Sequence, residues 1–128
     1  MKYLLDTHVF IWMASDPDAL PQSIAEILLA PENDLVLSLV SIWEMQIKAQ
    51  LGKLKLATEL PALVEEQQTR NAVAILPISL EHLWELGKLP PIHRDPFDRL
   101  LIAQSRREKL LFLTADSLIP KYDVDVVW

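Results

Sequence analysis

Four acidic residues lie where the sequence predicts strand ends or helix starts, and these are Asp6, Glu44, Asp98 and Asp116. Carboxylates gathered in a small volume repel one another, and a hard divalent cation removes that repulsion. The chain has no cysteine and no His-x-x-x-His pair, so oxygen ligation of Mg²⁺ or Mn²⁺ is favoured over zinc. Such a metal activates a water for attack on a phosphodiester. The absence of a G-x-S-x-G elbow or a P-loop fits this chemistry, which needs no protein nucleophile.

Each acid also has a purely structural interpretation as a helix cap. Asp6 could be an N-cap, and Ser41-Ile42-Trp43-Glu44 has the spacing of a capping box. In Asp95-Pro96-Phe97-Asp98 the first residue could cap a helix that begins at the proline, and Asp116 could cap the short segment before Pro120. Convergence of all four acids would weaken these separate explanations.

The elements that position the acids are predicted from hydrophobic periodicity. Five largely apolar runs indicate strands buried on both faces of a sheet, and these are Tyr3–Leu5, Leu35–Leu37, Ala74–Leu76, Leu110–Leu113 and Val124–Val127. Amphipathic helical stripes lie between them. The alternation predicts an α/β fold whose largely parallel sheet has helices on both faces, with ligands bound beyond the carboxyl ends of the strands. Asp98 opens a helix, so the sequence fixes its place at that edge less firmly than for the other three acids.

Composition narrows the class of protein. A length of 128 residues predicts one domain spanning 1–128, and the absence of cysteine is compatible with a reducing cytoplasm. No apolar run is long enough for a membrane span or a signal peptide, so we expect a soluble, cytoplasmic protein. The net charge of −6 argues against nucleic-acid binding, although five of the twelve Lys and Arg residues fall between Arg94 and Lys109. That basic run is either a binding surface or a solvated helix face.

The ordered motifs of the chain resemble those of PIN domains, with the closest likeness to VapC-type toxins. The motifs are Leu4-Leu5-Asp6-Thr7-His8, Ser41-Ile42-Trp43-Glu44, His93-Arg94-Asp95-Pro96-Phe97-Asp98-Arg99-Leu100-Leu101-Ile102-Ala103-Gln104 and Leu113-Thr114-Ala115-Asp116. The resemblance spans the chain from residue 2 to its end, and the block from Arg94 to Gln104 is its most specific part.

The resemblance implies a single PIN-like domain with a central four- to five-stranded parallel sheet and helices on both faces. It implies that Asp6, Glu44, Asp98 and Asp116 are the catalytic and metal-binding residues of an Mg²⁺- or Mn²⁺-dependent endoribonuclease. Thr7 and Thr114 match positions where the family often has a hydroxyl near metal or substrate. RNA, such as tRNA or rRNA, is the implied substrate, a small antitoxin is the implied partner, and a homodimer is expected.

Several further residues have two interpretations. His93-Arg94 could contact RNA because it immediately precedes the acidic block, and Arg99 could hold a phosphate or brace a neighbouring carboxylate. Asp95 is expected to be a cap rather than an outer ligand. The three histidines, His8, His82 and His93, are expected to be packing or surface residues. The tryptophans at positions 12, 43 and 84 are expected in the core, although Trp12 or Trp43 could line a groove for a partner helix.

Competing function classes fit the sequence less well. A haloacid-dehalogenase-type enzyme needs a second Asp two residues after Asp6, where this chain has His8. A receiver domain needs an acidic pair after the first strand and an acceptor Asp after the third, and neither is evident. A PIN-like RNA-processing nuclease without an antitoxin and a non-catalytic partner-binding module stay open as alternatives, although the complete set of four acids argues against the second.

Overall fold

A five-stranded sheet forms the centre of the computed structural model, which describes residues 1–128. The strands are β1 Lys2–Leu5, β2 Asp34–Ser38, β3 Ala74–Leu76, β4 Leu111–Leu113 and β5 Val126–Val127. Their order across the sheet is β3-β2-β1-β4-β5, and every pairing is parallel. All five apolar runs therefore form strands, and the predicted four- to five-stranded parallel sheet is confirmed.

Six helices cover both faces of this sheet. They are α1 Thr7–Ser15, α2 Gln22–Leu29, α3 Leu39–Gln50, α4 Leu60–Arg70, α5 Leu80–Leu86 and α6 Pro96–Glu108, with short 3-10 helices at Pro17–Ala19 and Ile119–Lys121. Alternate residues of β1 belong to different cores, since Tyr3 and Leu5 pack in one hydrophobic cluster and Leu4 packs in the other. Two separate cores, one on each face, confirm the predicted α/β architecture. None of these helices has the length and apolar character that crossing a membrane requires.

Helix starts agree with the sequence in one case and differ in another. Asp95 caps α6 as predicted, because its Oδ1 accepts from the amides of Phe97 at 2.8 Å and Asp98 at 3.3 Å. The predicted Ser41–Glu44 capping box is wrong. The residue that caps α3 is Ser38, whose Oγ accepts from the Val40 amide at 3.0 Å. Ser41 and Glu44 consequently lie inside the helix, where capping cannot explain either residue.

The prediction of core tryptophans is wrong for two of the three. Trp43 on α3 and Trp84 on α5 are 55% and 64% exposed, and Trp12 on α1 is half-buried. Their periodic spacing places them on helices, but it does not distinguish an inward helix face from an outward one.

The loop between α5 and α6 is held by two side chains from elsewhere in the fold. The buried Tyr122 hydroxyl accepts from the amides of Ile92 at 3.1 Å and His93 at 2.6 Å. Arg99 of α6 donates to the Tyr122 hydroxyl at 3.3 Å. The same guanidinium donates to three carbonyl oxygens of the loop, those of Leu89, Pro90 and His93. These bonds fix the backbone at His93, the residue from which the loop turns into α6.

Removing the Tyr122 hydroxyl is expected to weaken this loop. Tyr122→Phe keeps the ring but leaves two backbone amides and part of the Arg99 guanidinium without their acceptor, so it should lower the free energy of unfolding by about 1–3 kcal/mol. Urea denaturation followed by circular dichroism measures the change. Tyr3→Phe is the matched control, because the Tyr3 hydroxyl makes no hydrogen bond within the protein and should change stability much less. Equal effects of the two substitutions would show that the loop does not depend on Tyr122.

Candidate active site

Three of the four acids line one cleft at the carboxyl edge of the sheet. The cleft has a volume of about 270 Å³, and its acidic residues are Asp6, Asp98 and Asp116. Asp6 follows β1 and Asp116 follows β4, which is the neighbouring strand, so both acids emerge at the same edge. The start of α6 brings Asp98 to the same place, which the sequence left open.

A histidine connects two of these acids. His93 Nε2 lies 2.8 Å from Asp116 Oδ2 and 3.2 Å from Asp98 Oδ2. The other ring nitrogen, Nδ1, accepts from the Asp95 amide at 3.1 Å, so the ring proton is on Nε2 and points at the carboxylates. One side-chain ligand atom from each of His93, Asp98 and Asp116 lies within 4.8 Å of the others. His93 thus bridges two acids of the cleft, a contact that the expectation of a packing or surface residue did not include.

Asp6 is almost completely buried beside a threonine hydroxyl. Thr114 Oγ1 donates to Asp6 Oδ2 at 2.5 Å and accepts from the Asp116 amide at 3.1 Å, which ties the two acids to one side chain. Burial raises the pKa of Asp6, and the Thr114 hydrogen bond opposes that rise only in part. Asp6 stands at the N-cap position of α1, but its side chain makes no capping hydrogen bond, so the capping interpretation of Asp6 is not supported.

Glu44 is buried beside the cleft rather than in its lining. Its Oε1 accepts from Thr7 Oγ1 at 2.8 Å, and its Oε2 pairs with Lys48 Nζ at 2.8 Å. Thr7 Oγ1 also lies 2.9 Å from Ser41 Oγ, which joins α1 to α3 at this point. The hydrogen bond to Glu44 raises the pKa of Lys48. Both oxygens of Glu44 therefore already have a partner within the protein.

Burial and repulsion by neighbouring acids both raise the pKa of Asp98. Burial, followed by the charges of Asp6 and Asp95, raises the pKa of Asp98 from its ordinary 3.8 to about 7. The charge of Glu44 adds to this rise, so Glu44 acts on the cleft although it does not line it. Asp116 behaves differently. Burial alone would raise its pKa, but the hydrogen bond with His93 and the Leu118 amide at 2.8 Å outweigh burial and lower the pKa.

The remaining predicted residues divide into two groups. The hydroxyls of Thr7 and Thr114 contact Glu44 and Asp6 respectively, so both threonines lie beside the acids. Arg94 is exposed on the loop next to His93. Arg99 is outside the cleft lining, and its guanidinium is occupied by the loop carbonyls and Tyr122.

Two residues of the site were not identified from the sequence. Lys48 stands four residues after Glu44 on one helix, a spacing that signals an ion pair and could have indicated it. The position of His93 directly before the acidic block indicates an RNA contact rather than a bridge between two acids, because that bridge depends on a loop conformation that distant residues hold.

Neutralising Asp98 is expected to stabilise the protein in the absence of metal. The folded protein holds the Asp98 proton more tightly than the unfolded chain does, so the stability that this group contributes is lost as the pH rises from about 4 to about 7. Above pH 7 the buried charge costs on the order of 2–4 kcal/mol, and Asp98→Asn removes that cost. The melting temperature of the variant in EDTA should exceed that of the wild type at pH 8, and the difference should shrink at pH 5.

Asp18→Asn is the control for this measurement, since Asp18 is exposed on the Pro17–Ala19 turn, away from the cleft. It should change the melting temperature little and similarly at both pH values. A lower melting temperature for Asp98→Asn than for the wild type at pH 8 would contradict the assignment of Asp98 as a destabilised, buried acid.

Solved structures with similar folds cover essentially the whole chain. The first is the VapBC2 complex from Rickettsia felis bound to a promoter DNA fragment, with a TM-score of 0.75 at 17% identity, covering 99% of this chain and 98% of that chain. The second is VapBC-1 from nontypeable Haemophilus influenzae, with a TM-score of 0.67 at 19% identity and coverage of 99% and 97%. FitAcB from Neisseria gonorrhoeae also has a TM-score of 0.67 at 19% identity, with coverage of 98% and 96%. At these identities the likeness establishes the fold.

Sequence comparison gives the family. No curated protein matches the chain. The family model of the PIN domain matches residues 3–125, which include every acid of the cleft and the loop that carries His93. The chain belongs to the PIN-domain family.

Proposed function

We propose that this chain is a metal-dependent endoribonuclease and the toxin of a type II toxin–antitoxin pair. The observation that carries the proposal is the convergence of buried and half-buried acids at the carboxyl edge of the sheet, where the pKa of Asp98 is raised to about 7. Strongly perturbed carboxylates in a cleft are typical of functional sites rather than of helix caps. The catalytic and metal-binding residues that we propose are Asp6, Glu44, Asp98 and Asp116.

The donor atoms fit a small hard cation. The ligand atoms of His93, Asp98 and Asp116 all lie within 4.8 Å of one another, close enough for the two carboxylates to hold one cation between them. The acids supply the oxygen ligands that Mg²⁺ and Mn²⁺ prefer, and a cation would relieve the repulsion that raises the pKa of Asp98.

A bound divalent cation supplies a water of lowered pKa and stabilises the charge that develops on the leaving oxygen of a phosphodiester. The residues of this chain prepare the place for that chemistry. Thr114 holds Asp6, and His93 bridges Asp98 and Asp116, so three carboxylates are oriented before any ligand arrives. Lys48 and Thr7 hold Glu44 beside the cleft, outside its lining. The negative charge of Glu44 there strengthens the attraction of the cleft for a cation.

The biological setting is proposed from the comparisons. Similar structures are named as VapBC complexes, and a further one, with a TM-score of 0.62, is a toxin–antitoxin complex from Klebsiella pneumoniae. By analogy we propose a small antitoxin protein as the partner, a homodimer as the assembly, and a single PIN-like domain over residues 1–128 acting in the cytoplasm on RNA such as tRNA or rRNA. Thr7, Thr114, Arg94 and Arg99 stay proposed substrate-binding residues, with Arg99 acting through the loop that it braces.

Expression without a partner protein tests the toxin and nuclease proposal together. Induced wild-type chain should arrest growth of a bacterial host and produce new RNA ends at defined positions, which sequencing of RNA termini detects. Asp98→Asn should reduce both effects at least about a hundredfold, because it removes a charge that the metal and the transition state need. Asp18→Asn should act like the wild type. Growth arrest that is unchanged in Asp98→Asn would show that toxicity does not come from this cleft.

Metal binding is tested separately by calorimetry with Mn²⁺ on the partner-free protein. Glu44→Gln keeps the shape of the side chain but removes a charge close to Asp98, so it should weaken Mn²⁺ binding about tenfold or more. Glu65→Gln is the matched control, because Glu65 is exposed on α4. If the wild type and Glu44→Gln bind Mn²⁺ equally, or if neither binds at millimolar metal, then Glu44 is not part of a metal site.

A further inference from the structure

Aromatic side chains border the acidic cleft on one side. We define the aromatic shelf as His8, Trp12 and Trp128. His8 and Trp12 line the same cleft as Asp6, Asp98 and Asp116. The ring centroids of His8 and Trp12 are 5.9 Å apart, and those of Trp12 and Trp128 are 6.0 Å apart, with 45° between the ring planes in both pairs. The three rings therefore form one continuous surface that leads away from the acids.

The strand ends that bring the acids together at one edge of the sheet also position the aromatic shelf. Trp128 follows β5, and the Val127 carbonyl accepts from the Thr114 amide at 3.2 Å, so Trp128 emerges beside the β4 end that carries Asp116. His8 and Trp12 are four residues apart on α1 and share one helix face. The ends of β1, β4 and β5 thus present two acids and an aromatic residue in order along one edge.

The shelf is not part of the hydrophobic core. Trp12 belongs to neither core cluster, although its neighbours Ile11 and Met13 pack against one of them. Trp128 is 45% exposed, and His8 is exposed. Aromatic surface of this kind left at the rim of a cleft is available to stack against a flat ligand.

The charges of the cleft residues indicate which part of an RNA strand such an aromatic surface would bind. No Lys or Arg lines the cleft, and the net charge of the chain is −6. Proteins that bind RNA through basic residues gain affinity by displacing counterions from phosphates, and the cleft has no residue for this. Because no basic residue lines the cleft, affinity for the part of the strand that lies there must come from contacts that do not depend on positive charge. Stacking of bases on aromatic rings is a contact of this kind.

We propose that the aromatic shelf is a subsite for an unpaired RNA base next to the phosphate held at the acidic cleft, an inference that rests on the proposed nuclease function. Trp12 is its central member, because its ring packs against both of the others and also lines the cleft. A base within a duplex is already stacked between its neighbours and cannot lie on the shelf. The substrate at this subsite is therefore a single-stranded segment, bound with little preference for base identity.

The test measures binding apart from cleavage. The probe is a fluorescein-labelled single-stranded RNA of twelve nucleotides and mixed sequence, with phosphorothioate linkages that resist hydrolysis. Fluorescence anisotropy is followed in Mn²⁺, which accepts sulfur ligands more readily than Mg²⁺ does. Trp12→Leu should weaken binding about tenfold or more, the loss expected when one base-stacking partner is removed. Trp12→Phe retains an aromatic face and should bind within about threefold of the wild type. Trp84→Leu is the matched control, since Trp84 is exposed on α5 and lies outside the cleft lining, and it should bind like the wild type.

Each outcome decides the inference. Equal binding by Trp12→Leu and Trp84→Leu overturns it, as does failure of the wild type to bind the single strand, or equally tight binding of a fully paired hairpin. Circular dichroism on Trp12→Leu shows whether the variant is folded. If it is not, Trp128→Leu removes another ring of the shelf and should weaken binding relative to Trp84→Leu. Loss of RNA ends in Asp98→Asn with unchanged binding by Trp12→Leu would reject the shelf and leave the nuclease proposal standing. Binding that depends on Trp12 in a protein that never cleaves RNA would support the shelf and reject the nuclease.

Discussion

The rest of the structure depends on one electrostatic constraint, which is that several carboxylates meet where little water can solvate them. The parallel sheet creates this constraint, because β1 and β4, which Asp6 and Asp116 follow, end at the same edge of the sheet. The cost appears at Asp98, whose pKa reaches about 7 although it stands in the first turn of α6, where the helix dipole favours a negative charge. Burial and neighbouring acids therefore outweigh the dipole at this position, and packing elsewhere in the fold must compensate.

Three side chains donate hydrogen bonds to the carboxylates and reduce the repulsion between them. They differ in how easily a cation could take their place. Lys48 is a permanent countercharge for Glu44 and comes from the same helix. Thr114 gives Asp6 a neutral hydrogen bond that does not offset its charge. His93 places one N–H between two carboxylates, in the position where a metal would be most strongly attracted. Asp98 and Asp116 therefore face the side of the cleft that would admit a cation, and Glu44 would have to release Thr7 or Lys48 before it could bind one.

The sequence predicted the parts of this arrangement that follow from periodicity and strand order. Apolar runs located all five strands, although Asp125 interrupts the last of them, and the common edge of a parallel sheet then implied that Asp6 and Asp116 lie close together. Helix boundaries were less certain, because Ser38 and Ser41 both have capping chemistry and only the end of β2 decides between them. The role of His93 was not predictable, since its position depends on Tyr122, which is 29 residues away.

The helix that carries the shelf illustrates a related limit. The residues of α1 are apolar on nearly every side, so no stripe separates the face that packs on the sheet from the face that borders the cleft. Phe10 is fully buried and Trp12 is half-buried, although the two are near neighbours with similar side chains. Tertiary position decides this difference: α1 begins at the end of β1, so one side covers the sheet and another meets the ends of β4 and β5. An acidic protein can bind RNA if a cation holds the phosphate and such a helix face holds the base, because neither contact requires a basic surface.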